Sequence, residues 1–291
     1  MCSRKELGVS MAANGLRNSS YPSLARNNGR VKPRSITVAF YNANGIREQR
    51  DEIHTFLRDH QVDVLLVQET FLKPAMRDPK VSNYNIVRND RTGAPGDGTV
   101  IYYKKSLHCV PIDTPALTHL EASICQLVMT GHAPITIASV YLPCRPSATI
   151  LRSDLEALLS LGGATILATR ISKRGRALDA LSNLLDFEIL APIEPTHYSH
   201  VLGHTPDVLD VAIVKNINLA IRNIELIHEL YSDHRPVLLQ LGPSAPADPQ
   251  LKTVVDWHKL SAKLKNISSP HLIAIPDLII QITIWASRSA L

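Results

Sequence analysis

Paired cysteines are missing from this 291-residue chain. Its four cysteines, Cys2, Cys109, Cys125 and Cys144, are scattered, and no two form a C-x-x-C pair. That spacing argues against a zinc site and a disulfide framework and favours a reducing compartment. No apolar h-region follows the first residues, so no secretory signal is evident. The longest apolar stretch, "LIAIPDLIIQITIWASRSAL", is broken by Pro276, Asp277 and Gln281. This argues against a membrane span and for a helix whose apolar face awaits a partner. No internal repeat is visible. Charge of one sign is in modest excess: a net +5 permits binding to a polyanion without demanding it. A subtler absence lies in "SLGGATILATRISKRGRAL", Ser160 to Leu178. Gly162 and Gly163 suit a turn, and Ala164 to Ala168 suit a buried strand. The basic cluster Arg170, Lys173, Arg174 and Arg176 follows at once. Open α/β sheets place their chemistry at strand ends, yet this strand ends without a carboxylate, amide or imidazole.

What is present describes a folded protein. Hydrophobic residues make up 45% and charged residues 20% of the chain, ordinary values for a globular protein. Residues 1–33, rich in Ser, Asn, Gly and Arg, read as a disordered leader. From Arg34 the pattern changes. "ITVAFYN" alternates Ile36, Val38 and Phe40 like a strand, and Ile46, Ile53, Phe56 and Leu57 follow at helical spacing. "VDVLLVQE" is a continuous apolar run, the mark of a strand covered on both faces. Further strands are expected at Gly98–Tyr103, Ala122–Met129, Ile135–Leu142, Ala164–Ala168, Val208–Val214 and Pro236–Leu241, with helices at Ala148–Leu161 and Arg176–Leu185. Mixed elements over about two hundred residues imply an α/β or α+β layered sandwich, with one domain spanning 34–242. "GPSAPADP" then opens a linker, and 243–291 read as an appended segment.

Several apolar runs end in polar groups. Asn42 and Asn44 close the first strand, and Gln68 and Glu69 close the second. Tyr141 lies near the end of "ASVYLP". Asp207 and Asp210 sit at and inside "PDVLDVAIV", while Ser232, Asp233 and His234 precede the last strand. Taken singly, each has a bland explanation. Asn-x-Asn-Gly is commonly a turn, Ser-Asp commonly a cap, and Gln-Glu-Thr a solvated strand exit. Together they matter more, because an ionised carboxylate against a sheet interior needs a cation or dense hydrogen bonding.

In order and spacing, "YNANGI", "VDVLLVQETFLKP", "GDGTVIYYKKSL", "ITIASVYLPC", "RGRALDAL", "EPTHYSHVLGHTPDVLDVAIVKNI" and "ELYSDHRPVLLQL" resemble the endonuclease/exonuclease/phosphatase family. More narrowly, they resemble the endonuclease domain of jockey-type, LINE-like non-LTR retrotransposons, over about Ser35 to Gly242. "TVVDWHKLSAKL" looks like the connector before the reverse transcriptase in such elements. The resemblance implies a four-layered sandwich of two packed β-sheets flanked by helices. It also implies Mg²⁺-dependent nicking of DNA, with Mn²⁺ an acceptable substitute.

Carried over by position, Glu69 and Asp233 are the expected metal carboxylates. His234, Asp210, Tyr141 and Asn42 are the expected catalytic groups, with Asp210 orienting the His234 ring. Asn44, Thr196 and Ser232 are expected on the substrate side, and Asp207 has no expected role. The expected partner is the DNA phosphate backbone, with no membrane and no small-molecule cofactor. The expected setting is intracellular and, by family function, nuclear, beside a reverse transcriptase in full-length relatives. The family also carries a Gly-Asp-Phe-Asn motif at the end of the strand that here reads "ATILA", where its aspartate activates water. Here Thr169-Arg170-Ile171-Ser172 leads directly to "KRGRAL" instead. An internal deletion is the economical account, and it implies a domain that folds but cleaves DNA poorly or not at all. The runner-up readings are a catalytically dead, DNA-binding remnant and a phosphomonoesterase of the same fold.

Overall fold

Alternation decides which side of each strand meets which core. In β1 (Ile36–Asn42), Val38 and Phe40 point one way and Ala39 and Tyr41 the other, and both sets are buried. A strand buried on both faces needs a layer on each side, and the fold supplies them. The computed structural model describes residues 33–90, 98–142, 147–170, 175–199 and 205–243. The expected leader, linker and connector lie outside these residues, except for Pro33 and Pro243 at their borders, as do Cys2, Cys144, Lys173 and Arg174.

After β1, a short 3-10 turn at Arg47–Gln49 runs into α1 (Arg50–Asp59). Next come β2 (Val64–Gln68), β3 (Tyr84–Asn89), β4 (Thr99–Lys104), β5 (Cys109–Pro111), β6 (Glu121–Leu127) and β7 (Ile135–Tyr141). Then follow α2 (Ala148–Leu159), β8 (Ala164–Arg170), α3 (Gly175–Leu185), β9 (Glu188–Leu190), β10 (Asp210–Lys215), β11 (Ala220–Leu226) and β12 (Val237–Gly242). Two six-stranded sheets result, ordered β11-β12-β1-β2-β4-β3 and β5-β6-β7-β8-β10-β9.

Four layers follow from three apolar clusters. Between the sheets, Val38, Phe40, Leu66 and Ile101 pack with Ile137, Ile166 and Ala212. On the outer face of the first sheet, Ile53, Phe56 and Leu57 of α1 cover Ala39, Leu65 and Val100. On the outer face of the second, Leu151, Leu155 and Leu158 of α2 and Leu178 and Leu181 of α3 cover Ala138, Leu167 and Ile213. The sandwich expected from the sequence is therefore the fold observed.

Four strands, β3, β5, β9 and β11, have no counterpart among the expected ones, and they are the four sheet edges. An edge strand has one neighbour and an exposed flank, so it carries no continuous apolar run. β11, for example, holds only Leu226 fully buried. In the other direction, β8 runs two residues past its expected end and carries Arg170 as its last residue.

Polar pins fix one sheet against the other. The Gln68 amide donates to the Ser139 hydroxyl at 3.0 Å, and that hydroxyl donates to the Val67 carbonyl at 2.8 Å. Thr99 and Ser123 form a second hydroxyl pair at 2.8 Å. Burying a polar group is inexpensive only when it is hydrogen-bonded, so these contacts favour one alignment of the sheets over slipped ones. Gly162, expected in a turn, is required for a different reason. A Cβ there would stand 2.4 Å from the Thr136 hydroxyl.

Asp154 of α2 is another buried polar group with a structural task. It is 2% exposed, and its two carboxylate oxygens accept backbone N–H bonds from Thr118, His119 and Leu120 at 2.7–2.9 Å. Burial pushes its pKa up, but the three N–H donors outweigh that and hold it below the usual carboxylate value. A depressed carboxylate stabilises the fold above the unfolded-state pKa of about 3.9, and that contribution is lost as pH falls through the folded value. Asp154→Ala is expected to cost about 1–3 kcal/mol at neutral pH. The deficit should shrink at pH values below about 3.9, as followed by urea denaturation across pH.

Candidate active site

The topology brings seven chain segments to one end of the sandwich. β1 and β2 are parallel, so they finish side by side, with Asn42 opposite Gln68. β12 runs antiparallel to β1, so the segment entering it, Ser232–His234, arrives at the same end. In the second sheet β7 and β8 are parallel and finish at Tyr141 and Arg170. β10 is antiparallel to β8 and starts there, with Asp210 directly opposite Arg170. His197 forms isolated bridges to both Asp207 and His234 and so brings in a seventh segment.

Beyond their last pairs, the β1 and β2 exits stay bonded to each other. The amides of Ala43, Gly45 and Ile46 donate to the carbonyls of Gln68, Glu69 and Thr70 at 3.0, 2.8 and 3.1 Å. Asn44, Glu69 and Phe71 all have positive φ without being glycine, at 46°, 51° and 55°. Such residues cost roughly 1–3 kcal/mol each and persist where the surroundings over-determine them, which is common at functional sites.

Glu69 projects from this strained loop into a cationic setting. Its Oε1 accepts from the Asn42 side-chain amide at 2.8 Å and from Nη1 of Arg170 at 2.9 Å. Arg170 was grouped by sequence with the basic segment after β8. Here it turns into the site instead, with its Nε buried and without a hydrogen-bond partner among the described residues. The expected metal carboxylate thus already holds a cation supplied by the chain.

His234 and Asp210 form the tightest contact of the site. Nδ1 of the ring lies 2.6 Å from Asp210 Oδ2, and both side chains are 1% exposed. The ring's Nε2 and the other Asp210 oxygen are buried and have no partner among the described residues. Beside them, His197 packs its ring on His234 with centroids 4.6 Å apart, and its Nε2 lies 3.3 Å from Asp233 Oδ2. Burial and the neighbouring His234 push the His197 pKa below its ordinary value, with Arg170 adding to this and Asp233 opposing it. For Asp233, burial raises the pKa, but His234, His197 and the Ser232 hydroxyl outweigh it and leave a lowered value.

The structure thus brings Asn42, Glu69, Asp210, Asp233 and His234 to one place, with Tyr141 buried at the neighbouring end of β7. Asn44 lines an adjoining cavity of about 410 Å³ with Thr70, Phe71, Tyr231 and Asp233, where Tyr231 is 81% exposed. Thr196 and Ser232, both expected on the substrate side, carry structural hydrogen bonds, and Ser232 also lines this cavity. Thr196 is fully buried, and its hydroxyl accepts from the amides of Leu209 and Asp210 at 2.9 and 3.0 Å. Ser232 donates to the Asn42 carbonyl at 2.9 Å and accepts from the His234 amide at 3.1 Å, tying β1 to the β12 entry. Asp207 caps its own neighbour Val208 and is exposed. Sequence reasoning missed His197 and the inward turn of Arg170. The only signal for either was adjacency: His197 follows Thr196, and Arg170 falls at even spacing from Ile166 and Ala168.

The strand ends of the two sheets thus pool a carboxylate–asparagine pair, a buried His–Asp pair and a second His–Asp contact. Residues 39–234 match the endonuclease/exonuclease/phosphatase family, and the chain belongs to it. It is similar to the RNA-directed DNA polymerase from mobile element jockey of Drosophila funebris, with 27% identity over 222 residues. The alignment spans 71% of this chain and 24% of that protein, so the chain covers about a quarter of this relative's length. In fold it is similar to the AP endonuclease LMAP from Leishmania major, at TM-score 0.60 and 14% identity over 72% of this chain and 89% of that one. It is similar too to the endonuclease domain of the telomere-specific non-LTR retrotransposon TRAS1, at TM-score 0.58 and 13% identity over 71% and 98%.

Family nucleases of this kind imply a divalent cation, and Mg²⁺ prefers oxygen ligands. The donor set at Glu69 does not fit one as arranged. Its Oε1 already serves two N–H donors, and one of them is a full positive charge 2.9 Å away. Like charges at such a distance oppose each other strongly where water is scarce.

Replacing Thr196 by Val keeps the volume but strands two amides, the buried one of Asp210 and the part-buried one of Leu209. Thr196→Val is expected to lower unfolding stability by about 1–3 kcal/mol, read by urea denaturation. An unchanged stability would return Thr196 to the substrate side.

Proposed function

We propose that this chain is a retroelement-type endonuclease domain that binds DNA phosphates but hydrolyses phosphodiesters poorly or not at all. The observation that carries this reading is the Arg170–Glu69 pair at the end of β8. Hydrolysis needs a group that takes a proton from the attacking water and a cation that answers the charge growing on phosphorus-bound oxygens. A guanidinium cannot accept that proton, because it stays protonated at any working pH. It also holds Glu69, the residue otherwise placed to recruit a divalent cation. Loss of a general base alone slows such reactions by about 10²–10⁴-fold, and residues that act as a unit lose more together.

Binding draws on what remains. Arg170 offers planar donors suited to phosphate oxygens, and the His234 ring, oriented by Asp210 as carboxylate–histidine pairs do, keeps a buried Nε2 without a partner among the described residues. The exposed Tyr231 ring beside the 410 Å³ cavity suits stacking on an unpaired base. β8 ends in Arg170, and α3 opens at Gly175. That spacing supports an internal deletion of the water-activating Gly-Asp-Phe-Asn segment. In this reading, the polymerase activity in the jockey protein's name belongs to sequence beyond the matched quarter, and the working compartment is the nucleus.

The test is a supercoiled-plasmid assay with Mg²⁺ beside a DNA-binding titration in salt. The expected outcome is no nicking above background together with salt-dependent binding. Arg170→Ala should weaken that binding and reduce the slope of log affinity against log salt by about one. Mg²⁺-dependent nicking that His234→Ala abolishes would overturn the reading.

A further inference from the structure

The His197–Asp233–His234 cluster has a composition unlike the oxygen-rich set that Mg²⁺ takes. One ring nitrogen from each histidine and one carboxylate oxygen of Asp233 lie within 4.8 Å of one another. The two rings are already packed together at 4.6 Å, and His197 Nε2 is 3.3 Å from Asp233 Oδ2. His234 Nδ1 is engaged by Asp210 at 2.6 Å, so Nε2 is the nitrogen left to serve as a ligand. It sits on a side chain 1% exposed and has no hydrogen-bond partner among the described residues. A buried nitrogen without a partner is a cost that binding of a ligand relieves.

We propose that His197, Asp233 and His234 form a binding site for a zinc-class transition-metal ion that does not use the Glu69 carboxylate. Imidazole suits Zn²⁺, whereas carboxylate and water suit Mg²⁺. Two nitrogens and one carboxylate oxygen make a three-ligand set that leaves a fourth position open, as in zinc sites that accept water or a substrate oxygen. The outer support is in place. Asp210 holds the His234 ring from behind in the carboxylate–histidine–metal arrangement that fixes tautomer and orientation. The segments carrying the ligands are already joined, since the Tyr198 amide donates to the Asp233 carbonyl at 2.7 Å and the Arg235 amide to the Thr196 carbonyl at 2.7 Å. Arg170 is the opposing charge nearby, and it is paired to Glu69. Metal on His234 Nε2 takes the atom that would otherwise meet a DNA phosphate, so metal and phosphate compete for that nitrogen.

The test is calorimetric titration of the full 291-residue chain with ZnCl₂, together with Co²⁺ as a spectroscopic probe. The wild type is expected to bind one Zn²⁺ that 5 mM Mg²⁺ does not displace, to show the visible bands of a low-coordinate cobalt site, and to gain about 5–10 °C in Tm at a hundredfold excess over Kd. His197→Ala and Asp233→Asn should each weaken binding at least about tenfold, with Glu69→Gln unchanged. Should His197→Ala fail to fold, His197→Phe keeps the ring packed on His234 and removes only the ligand nitrogen. The proposal is overturned by zinc affinity that survives both ligand variants, that disappears in Glu69→Gln, or that Mg²⁺ competes away.

Discussion

One carboxylate held by one guanidinium governs how this domain's chemistry is read. Glu69 extends from a loop whose backbone is forced into the left-handed region, and that loop is stitched to the β1 exit by three backbone hydrogen bonds. The side chain therefore has little freedom to leave. Arg170 is equally constrained, being the last residue of a strand buried along its length and paired in register with Asp210. Two fixed partners of opposite charge make a persistent contact. A divalent cation at the same oxygen would have to displace a covalently tethered competitor.

The remainder of the site is organised around a second pair, His234–Asp210, which couples the two sheets. Asp210 starts β10 of one sheet, and His234 enters β12 of the other. Thr196 supports Asp210 from beneath through its amide, and Ser232 supports the His234 amide while reaching across to Asn42. In this arrangement the Thr196 and Ser232 hydroxyls each accept from a backbone amide of the His234–Asp210 pair and so help to position it.

Much of this was legible in the amino-acid order, and the illegible parts share a cause. Central strands such as β1, β2 and β7 are buried on both faces, so their apolar runs announce them. The edge strands β3, β5, β9 and β11 have no such obligation and left no run to find. The polar strand-end residues were visible as a set, because charge at the end of a buried run needs explanation. What the apolar run could not show was that β8 continues to Arg170. A basic residue after an apolar run is most simply a solvated one, and the continued strand alternation puts it on the inner face with Ile166 and Ala168. His197 was hidden for a similar reason, since its partners Asp233 and His234 lie more than thirty residues away.

The account stands or falls on whether Arg170 excludes a divalent cation from Glu69. Anomalous diffraction from crystals soaked in MnCl₂ tests this directly, by locating the metal rather than inferring it from rates. The account predicts no manganese peak at the Glu69 carboxylate in the unmodified chain, and a peak there once Arg170 is replaced by Ala. A manganese ion bound to Glu69 with Arg170 still present would contradict it.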